Sequence, residues 1–270
     1  MKKFHKPSLT LTTKASSKPS NPVSPSSFHY LSYISTGKSN TPKLIEVPFR
    51  EIAQLEPGEW LSDHLVDLGL SLWFERFQAS SLNCMTLKVL STYFFTNFSE
   101  RGYAAIAHWT RKWTPLTYDF IVIPIHDTNH WYSSIIIGAR QSVQALPKSG
   151  EITIISIDSL SYDRANTRKS VAEWLLIEFA KHYPGKPTPS IVSLELPVPR
   201  QPNLCDCALY MIHYVDRFIR HHQTLLPALT HNDSFALDDP ATWRTDLAAH
   251  ARADFGVQVQ HYACIAKSRQ

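Results

Sequence analysis

Phe120-Ile121-Val122-Ile123-Pro124-Ile125, with Asn129-His130-Trp131 and the run from Trp131 to Ile137 close behind it, is where the apolar pattern of this chain changes period. Short β-branched runs bounded by Asp, Asn, Gly and Ser read as buried strands. Ile152 to Ile157 is a third such run, ending on Asp158-Ser159. Upstream, Asp63 to Phe77 sets Leu65, Val66, Leu68, Leu70, Leu72 and Phe74 on a helix-like stretch, in which Gly69 costs about 1 kcal/mol relative to alanine. Met85 to Phe98 reads as a second helix, rich in aromatics that face the core. Downstream, Thr167 to His182 carries Val171, Trp174, Leu175, Glu178 and Phe179 at helical spacing, with Pro184-Gly185 as its stop. Cys207 to His222 is apolar on more than one face and belongs inside the domain. Helices, then strands, then helices again is the order of an α+β fold, a central mixed β-sheet flanked by helices.

The 270 residues, 43% of them hydrophobic, suffice for one substantial domain with a buried core. Residues 1–43 contain 15 Ser or Thr, five Pro and seven Lys without an acid. Such a composition buries too little apolar surface to offset the entropy of ordering, so the expectation is a disordered basic tail over 1–43 and a folded domain over 44–270. The formal charge of +4 resides in that tail: beyond residue 45 the chain holds 20 basic and 23 acidic residues, a balance of −3. The folded part lacks the basic footprint of phosphate-backbone binding, and no nucleic-acid partner is expected for it.

Four cysteines are too few and too unevenly placed for a secreted disulfide scaffold. Cys205-Asp206-Cys207 lacks the spacing and the second pair of a zinc site, so neither metal nor cofactor is expected. No apolar run approaches the roughly 18 residues of a membrane span, and the N-terminus has no signal-peptide core. The expectation is an intracellular protein of nucleus or cytoplasm, monomeric and without a membrane partner.

The chemistry concentrates in Gln201-Pro202-Asn203-Leu204-Cys205-Asp206-Cys207-Ala208. A thiol is nucleophilic as thiolate, a form favoured at a helix N-terminus or beside an imidazolium. The segment before Cys207 resists helix and the residues after it have helical spacing, so Cys207 opens a helix among unpaired backbone N–H groups. Those amides, with Gln201 as a side-chain donor, suit a developing oxyanion. His130 stands at the rim between two strands, beside Trp131, and Asp158 ends the third strand, where a carboxylate would hold an imidazole's tautomer. Each alone has a plainer reading: Cys207 as a small buried apolar residue, His130 as a surface histidine beside a core tryptophan, Asp158 as a turn cap.

Taken together, the motifs resemble the ubiquitin-like-protein-specific proteases, also called sentrin-specific or SUMO proteases, which share the adenovirus-proteinase arrangement. The resemblance spans roughly Leu44 to the C-terminus. It rests on Glu59-Trp60-Leu61-Ser62-Asp63, Phe94-Phe95 with Gly102-Tyr103, His108-Trp109-Thr110-Arg111-Lys112-Trp113, Phe120 to Pro124 with His130-Trp131, Ile157-Asp158-Ser159-Leu160 and Gln201 to Tyr210, in that order. It implies the fold of that clan, Cys207 as nucleophile, His130 as general base and acid, Asp158 as its orienter and Gln201 as oxyanion donor. It also implies that Trp60 and Trp131 flank a tunnel for a Gly-Gly tail and that Asp63 lies on the surface binding SUMO or a related modifier.

The activity implied is cleavage after that Gly-Gly, in deconjugation or precursor processing. Alternatives are a protease for NEDD8 or ubiquitin, a clan-related acetyltransferase, and an inactive modifier-binding pseudoprotease. The chain departs from the family pattern at Ala208, where glycine is usual, at His108, where a basic residue often stands, and in the long connection from Gly138 to Gly150.

Overall fold

In chain order the computed structural model contains β1 (Ser27–Ser32), β2 (Lys43–Pro48), a 3-10 helix (Phe49–Leu55), α1 (Asp63–Ala79), β3 (Leu87–Val89), α2 (Tyr93–Arg101) and α3 (Tyr103–Ile106). After a second 3-10 turn (Pro115–Thr117) come β4 (Phe120–Asp127), β5 (His130–Ile137), α4 (Ala139–Gln144), β6 (Glu151–Ile157), α5 (Ala165–His182) and β7 (Ser190–Leu196). Four helices close the chain: α6 (Cys207–His231), α7 (Ser234–Leu237), α8 (Pro240–Trp243) and α9 (Thr245–Ser268). The structure describes residues 26–32, 34, 43–80, 85–144 and 150–268.

The β-branched runs form the middle of a five-stranded sheet of order β3-β4-β5-β6-β7. The outer pairs, β3 with β4 and β6 with β7, are parallel and the two inner pairs antiparallel, so the sheet is mixed. Alternate residues serve opposite faces. Phe120, Val122, Ile135 and Ile155 pack with residues of α1 and α6 such as Leu65, Tyr214 and Phe218. Ile121, Ile123, Ile136 and Ile154 pack with Phe94 of α2 and Trp174 and Phe179 of α5. Burial on both faces is why these strands read as continuous apolar runs with little polar alternation.

Gly69 in α1 has a packing reason. A Cβ built there would stand 2.9 Å from Ile212 Cδ1 of α6 and 3.6 Å from the Phe255 ring of α9, so its absence lets three helices close on one another. Pro124, inside β4, is also accommodated. Phe120 N–H donates to Thr86 O, and Leu90 N–H to Val122 O, so the backbone groups of even-numbered residues in β4 face β3. The register with β3 ends at Val122, so Pro124, two residues on, lacks a donor where no described strand is paired with β4 on that side.

Two expectations are corrected. The composition of 1–43 reads as a tail, yet Ser27–Ser32 within it forms β1, antiparallel to β2, with Phe28 and Tyr30 essentially inaccessible to solvent. Three aromatic or aliphatic side chains, Phe28, Tyr30 and Ile34, are enough to dock this stretch, because Tyr30 meets Tyr262 of α9 edge-on and donates to Glu75 of α1. The tail reading of residues 1–25, 33 and 35–42 lies outside the described residues. The helix expected over Met85–Phe98 divides into β3 and α2. Asp119 accepts from both the backbone and the hydroxyl of Thr86 at 2.7 Å, which fixes the entry to β3 and lets pairing with β4 override helical propensity.

No helix among the described residues is long and apolar enough to cross a membrane.

Candidate active site

His130 opens β5 directly opposite Asp127, the last residue of β4. Between them, Thr128 and Asn129 both have positive φ, 50° and 60°, the left-handed pair that a two-residue hairpin needs to match strand twist. The turn therefore delivers His130 as the first paired residue of a central strand, almost fully buried. Asp158 follows the last residue of the neighbouring β6, and its side chain is fully shielded. His130 Nε2 and Asp158 Oδ1 lie 2.7 Å apart.

Asp158 is heavily subscribed. Its Oδ1 also accepts the Leu160 N–H at 2.7 Å, and its Oδ2 accepts Arg164 Nε at 2.7 Å. The Arg164 guanidinium lies over the Tyr132 ring, 3.8 Å from its centroid, and reaches Asp127 at 3.2 Å, tying the carboxylate to the hairpin. Burial by itself would raise the Asp158 carboxyl, but the bonds from His130, Leu160 and Arg164 outweigh it and hold it below the usual carboxylate range.

Cys207 is the first residue of α6, 2% exposed, with its Sγ accepting the Trp131 N–H at 3.4 Å. Burial pulls the His130 imidazole down; the hydrogen bond to Asp158 and the interaction with the Cys207 sulfur push it up further, to about 9. With Nε2 bonded to Asp158, Nδ1 is the ring nitrogen left for the sulfur. Carboxylate, imidazole and sulfur from positions 158, 130 and 207 thus converge at one end of the sheet, an arrangement suited to proton transfer from thiol to imidazole and back to a leaving group.

Gln201 is also brought to this end. Its backbone N–H donates to Ser159 O at 3.0 Å, its side-chain carbonyl accepts the Ser159 hydroxyl, and its Nε2 donates to Asn203 O at 2.5 Å. The Asn203 side chain in turn accepts the Cys205 and Asp206 N–H groups, each at 3.0 Å, and donates to Asp206 Oδ2 at 2.8 Å. Residues 201–206 are a turn knotted by its own amides, which is what keeps them out of the helix. Ala208 is buried, its methyl in the core beneath α6.

The tryptophans sit differently from each other. Trp131 is 3% exposed, donates to Leu61 O at 3.2 Å and lies 4.7 Å from the His126 ring centroid to centroid. Trp60 is 51% exposed and donates to Leu204 O at 3.0 Å, laying its indole across the turn before Cys207. The two indoles therefore hold the 60–61 segment between β5 and the turn of residues 201–206. Asp63 is half-buried at the first position of α1, after the Ser62 cap.

Arg164, Tyr162, whose ring meets His130 edge-on at 6.0 Å, and Arg252, which bonds Asp206, were not among the residues singled out from sequence. Arg164 follows Asp158 by six residues, in a turn where an arginine carries no pattern of its own.

A cavity of about 660 Å³ between α1, α6 and α9, lined among others by Trp73, His213, Asp216 and Phe255, lies behind α6 and does not include His130, Asp158 or Cys207.

Residues 59–242 match the family described as the Ulp1 protease family, C-terminal catalytic domain. Among curated proteins, the chain is 21% identical over 177 residues to a sentrin-specific protease of Caenorhabditis elegans, covering 63% of this chain and 23% of that protein. It is 23% identical over 210 residues to ubiquitin-like-specific protease 2 of Schizosaccharomyces pombe, covering 65% and 33%. The chain thus matches a quarter to a third of the length of these relatives. Among solved structures, one described as a de-sumoylating protease superposes with a TM-score of 0.75 at 18% identity, over 88% of this chain and 93% of the other, a likeness of fold.

Proposed function

This chain belongs to the Ulp1 protease family, and from that membership we propose that it is a cysteine peptidase cleaving after the C-terminal Gly-Gly of SUMO or a related ubiquitin-like modifier. The observation that carries the reading is the 2.7 Å bond between His130 and Asp158 beside a sulfur at the first position of α6, assembled from three distant stretches. The names of the relatives, sentrin-specific and ubiquitin-like-specific proteases, support the substrate class.

Cys207 Sγ, its proton passed to His130 Nδ1, attacks the carbonyl carbon of the terminal glycine. The oxyanion faces the Cys207 and Ala208 amides at the start of α6 and the Gln201 carboxamide, the next two amides, of Leu209 and Tyr210, already donating to Asp206 O. Collapse of the tetrahedral species breaks the C–N bond, and the imidazolium protonates the departing amine. Water, deprotonated by the same imidazole, then hydrolyses the thioester. Asp158 holds Nε2 so that Nδ1 stays turned to the sulfur. Trp60 and Trp131 restrict the approach to residues without side chains, which selects glycine by exclusion. Asp63 stands on the modifier-facing side of the same entrance.

Electrophilic probes made by capping SUMO, NEDD8 and ubiquitin with a C-terminal vinyl sulfone test this directly. The expected result is a covalent adduct at Cys207 with the SUMO probe, abolished by Cys207→Ala. Labelling by the NEDD8 or ubiquitin probe alone would move the substrate, and labelling by none would end the peptidase reading.

A further inference from the structure

The nucleophile turn is held from outside the family's matched segment. Arg252 lies on α9, ten residues beyond residue 242, and is 9% exposed. Its Nε donates to Asp206 Oδ1 at 2.6 Å. Its Nη1 donates to Gln54 O at 2.7 Å and Glu56 O at 3.1 Å, and its Nη2 to Glu59 O at 2.7 Å and Cys205 O at 3.2 Å. A guanidinium has five N–H donors, and here five acceptors meet them, four of them backbone carbonyls from two separate stretches.

Each stretch leads straight to the site. Glu59 precedes Trp60, and Cys205 and Asp206 precede Cys207. From Arg252 a chain of hydrogen bonds continues through Asp206 Oδ2 to the Asn203 side chain, and from Asn203 O to Gln201 Nε2. Trp60 closes the other side by donating to Leu204 O within the same turn. One side chain on α9 therefore holds the backbone before the exposed tryptophan and the backbone before the sulfur at a fixed separation.

We infer that Arg252 is a positioning residue for the thiol chemistry: it sets the distance between the Trp60 segment and the nucleophile turn, and through Asp206 and Asn203 the aim of Cys207 and Gln201. A lysine cannot replace it fully, because an ammonium has three donors on a single point and keeps the charge opposite Asp206 at the expense of the carbonyls.

The inference rests on the peptidase reading for its role in turnover, so the test has one readout that needs no protein substrate. In the full chain, Arg252→Lys and Arg252→Met are compared with the parent in two ways. The first is the rate of Cys207 alkylation by iodoacetamide across pH, resolved from Cys205 by peptide fragmentation. The second is kcat and KM on a SUMO C-terminal fluorogenic amide, with thermal melting recorded alongside. Displacement of reacting groups by an ångström costs about 100-fold in rate, so Arg252→Met should lose about that in kcat, with a raised KM from the released Trp60 segment and an altered alkylation profile. Arg252→Lys should recover part of kcat but not KM. Should Arg252→Met not fold, Arg252→Lys carries the test with an expected loss of about 10-fold in kcat at a near-parental melting temperature. Parental kcat, KM and alkylation in a folded Arg252→Lys or Arg252→Met protein would overturn the inference. If the parent turns over no substrate yet the variants alter the alkylation profile, the positioning role stands and the peptidase reading falls.

Discussion

At the scale of single residues, the ionisation of the site follows from which groups crowd it. The His130 imidazole, lowered by burial but raised further by Asp158 and the Cys207 sulfur, ends at about 9. Because the folded value lies above the usual one near 6.5, its contribution to stability is complete below that usual value and disappears as pH rises through about 9. The same loss removes the proton destined for the leaving amine, so kcat/KM on an amide substrate should fall along a limb near pH 9. Asp158→Asn should move that limb toward neutrality and cost roughly 100-fold or more in kcat, read from a pH–rate profile. For Asp158 the sign reverses: its carboxyl is held below the usual value, so its contribution is present above that value and fades as pH falls through the lowered one. Arg164 is one of the groups holding it there. Arg164→Gln should shift the acidic limb of the profile upward, with activity near pH 5 losing more than activity near pH 7.5. An unshifted acidic limb would show that Arg164 serves the Asp127 hairpin alone.

At the scale of elements, close approach governs tolerance. Gly69→Ala should leave stability nearly unchanged, since about 1 kcal/mol of helix propensity offsets a small movement of the Ile212 side-chain tip. Gly69→Leu should cost about 1–3 kcal/mol by wedging α1 from α6 and α9, measurable by urea unfolding. What sequence revealed divides along the same line. The three inner strands and the long helices carry their pattern locally: Ile121 to Ile125 and Ile152 to Ile157 are apolar on both faces because the sheet is covered on both faces, and Cys207 marks the start of α6 because the turn before it cannot be helical. The three remote groups of the site were legible from motif order, since His130, Asp158 and Cys207 each sit where a strand or helix begins or ends. What was hidden depends on partners distant in sequence. β3 is three residues whose strand character comes from β4, β7 is a half-exposed edge strand, and β1 lies in a stretch whose composition says tail. Arg164 and Arg252 had no signal, because an arginine's role is written in its acceptors.

At the scale of the whole molecule, the outermost described elements, β1 and α9, pack onto the helices that frame the site. β1 and β2 dock on α1 and α9, and α9 packs on α6 and the 3-10 helix preceding Trp60. Phe28, wholly buried on β1, anchors that contact through the core and the Phe49 ring 5.8 Å away. Phe28→Ala should destabilise the protein by about 3–5 kcal/mol in equilibrium unfolding, an effect a dangling arm would not produce. A change below 0.5 kcal/mol would return Ser27–Ser32 to the tail.

Pro124 has a consequence for stability. After its pairing with β3 ends at Val122, β4 stays buried through Pro124 and Ile125, so an N–H at position 124 would be a shielded donor with no β3 residue opposite it. Pro124→Thr should therefore destabilise the protein by about 1–3 kcal/mol in urea unfolding, and a change below about 0.5 kcal/mol would show that the new donor finds an acceptor. A ring closed on one backbone nitrogen removes a hydrogen-bonding obligation at the point where the neighbouring strand gives out.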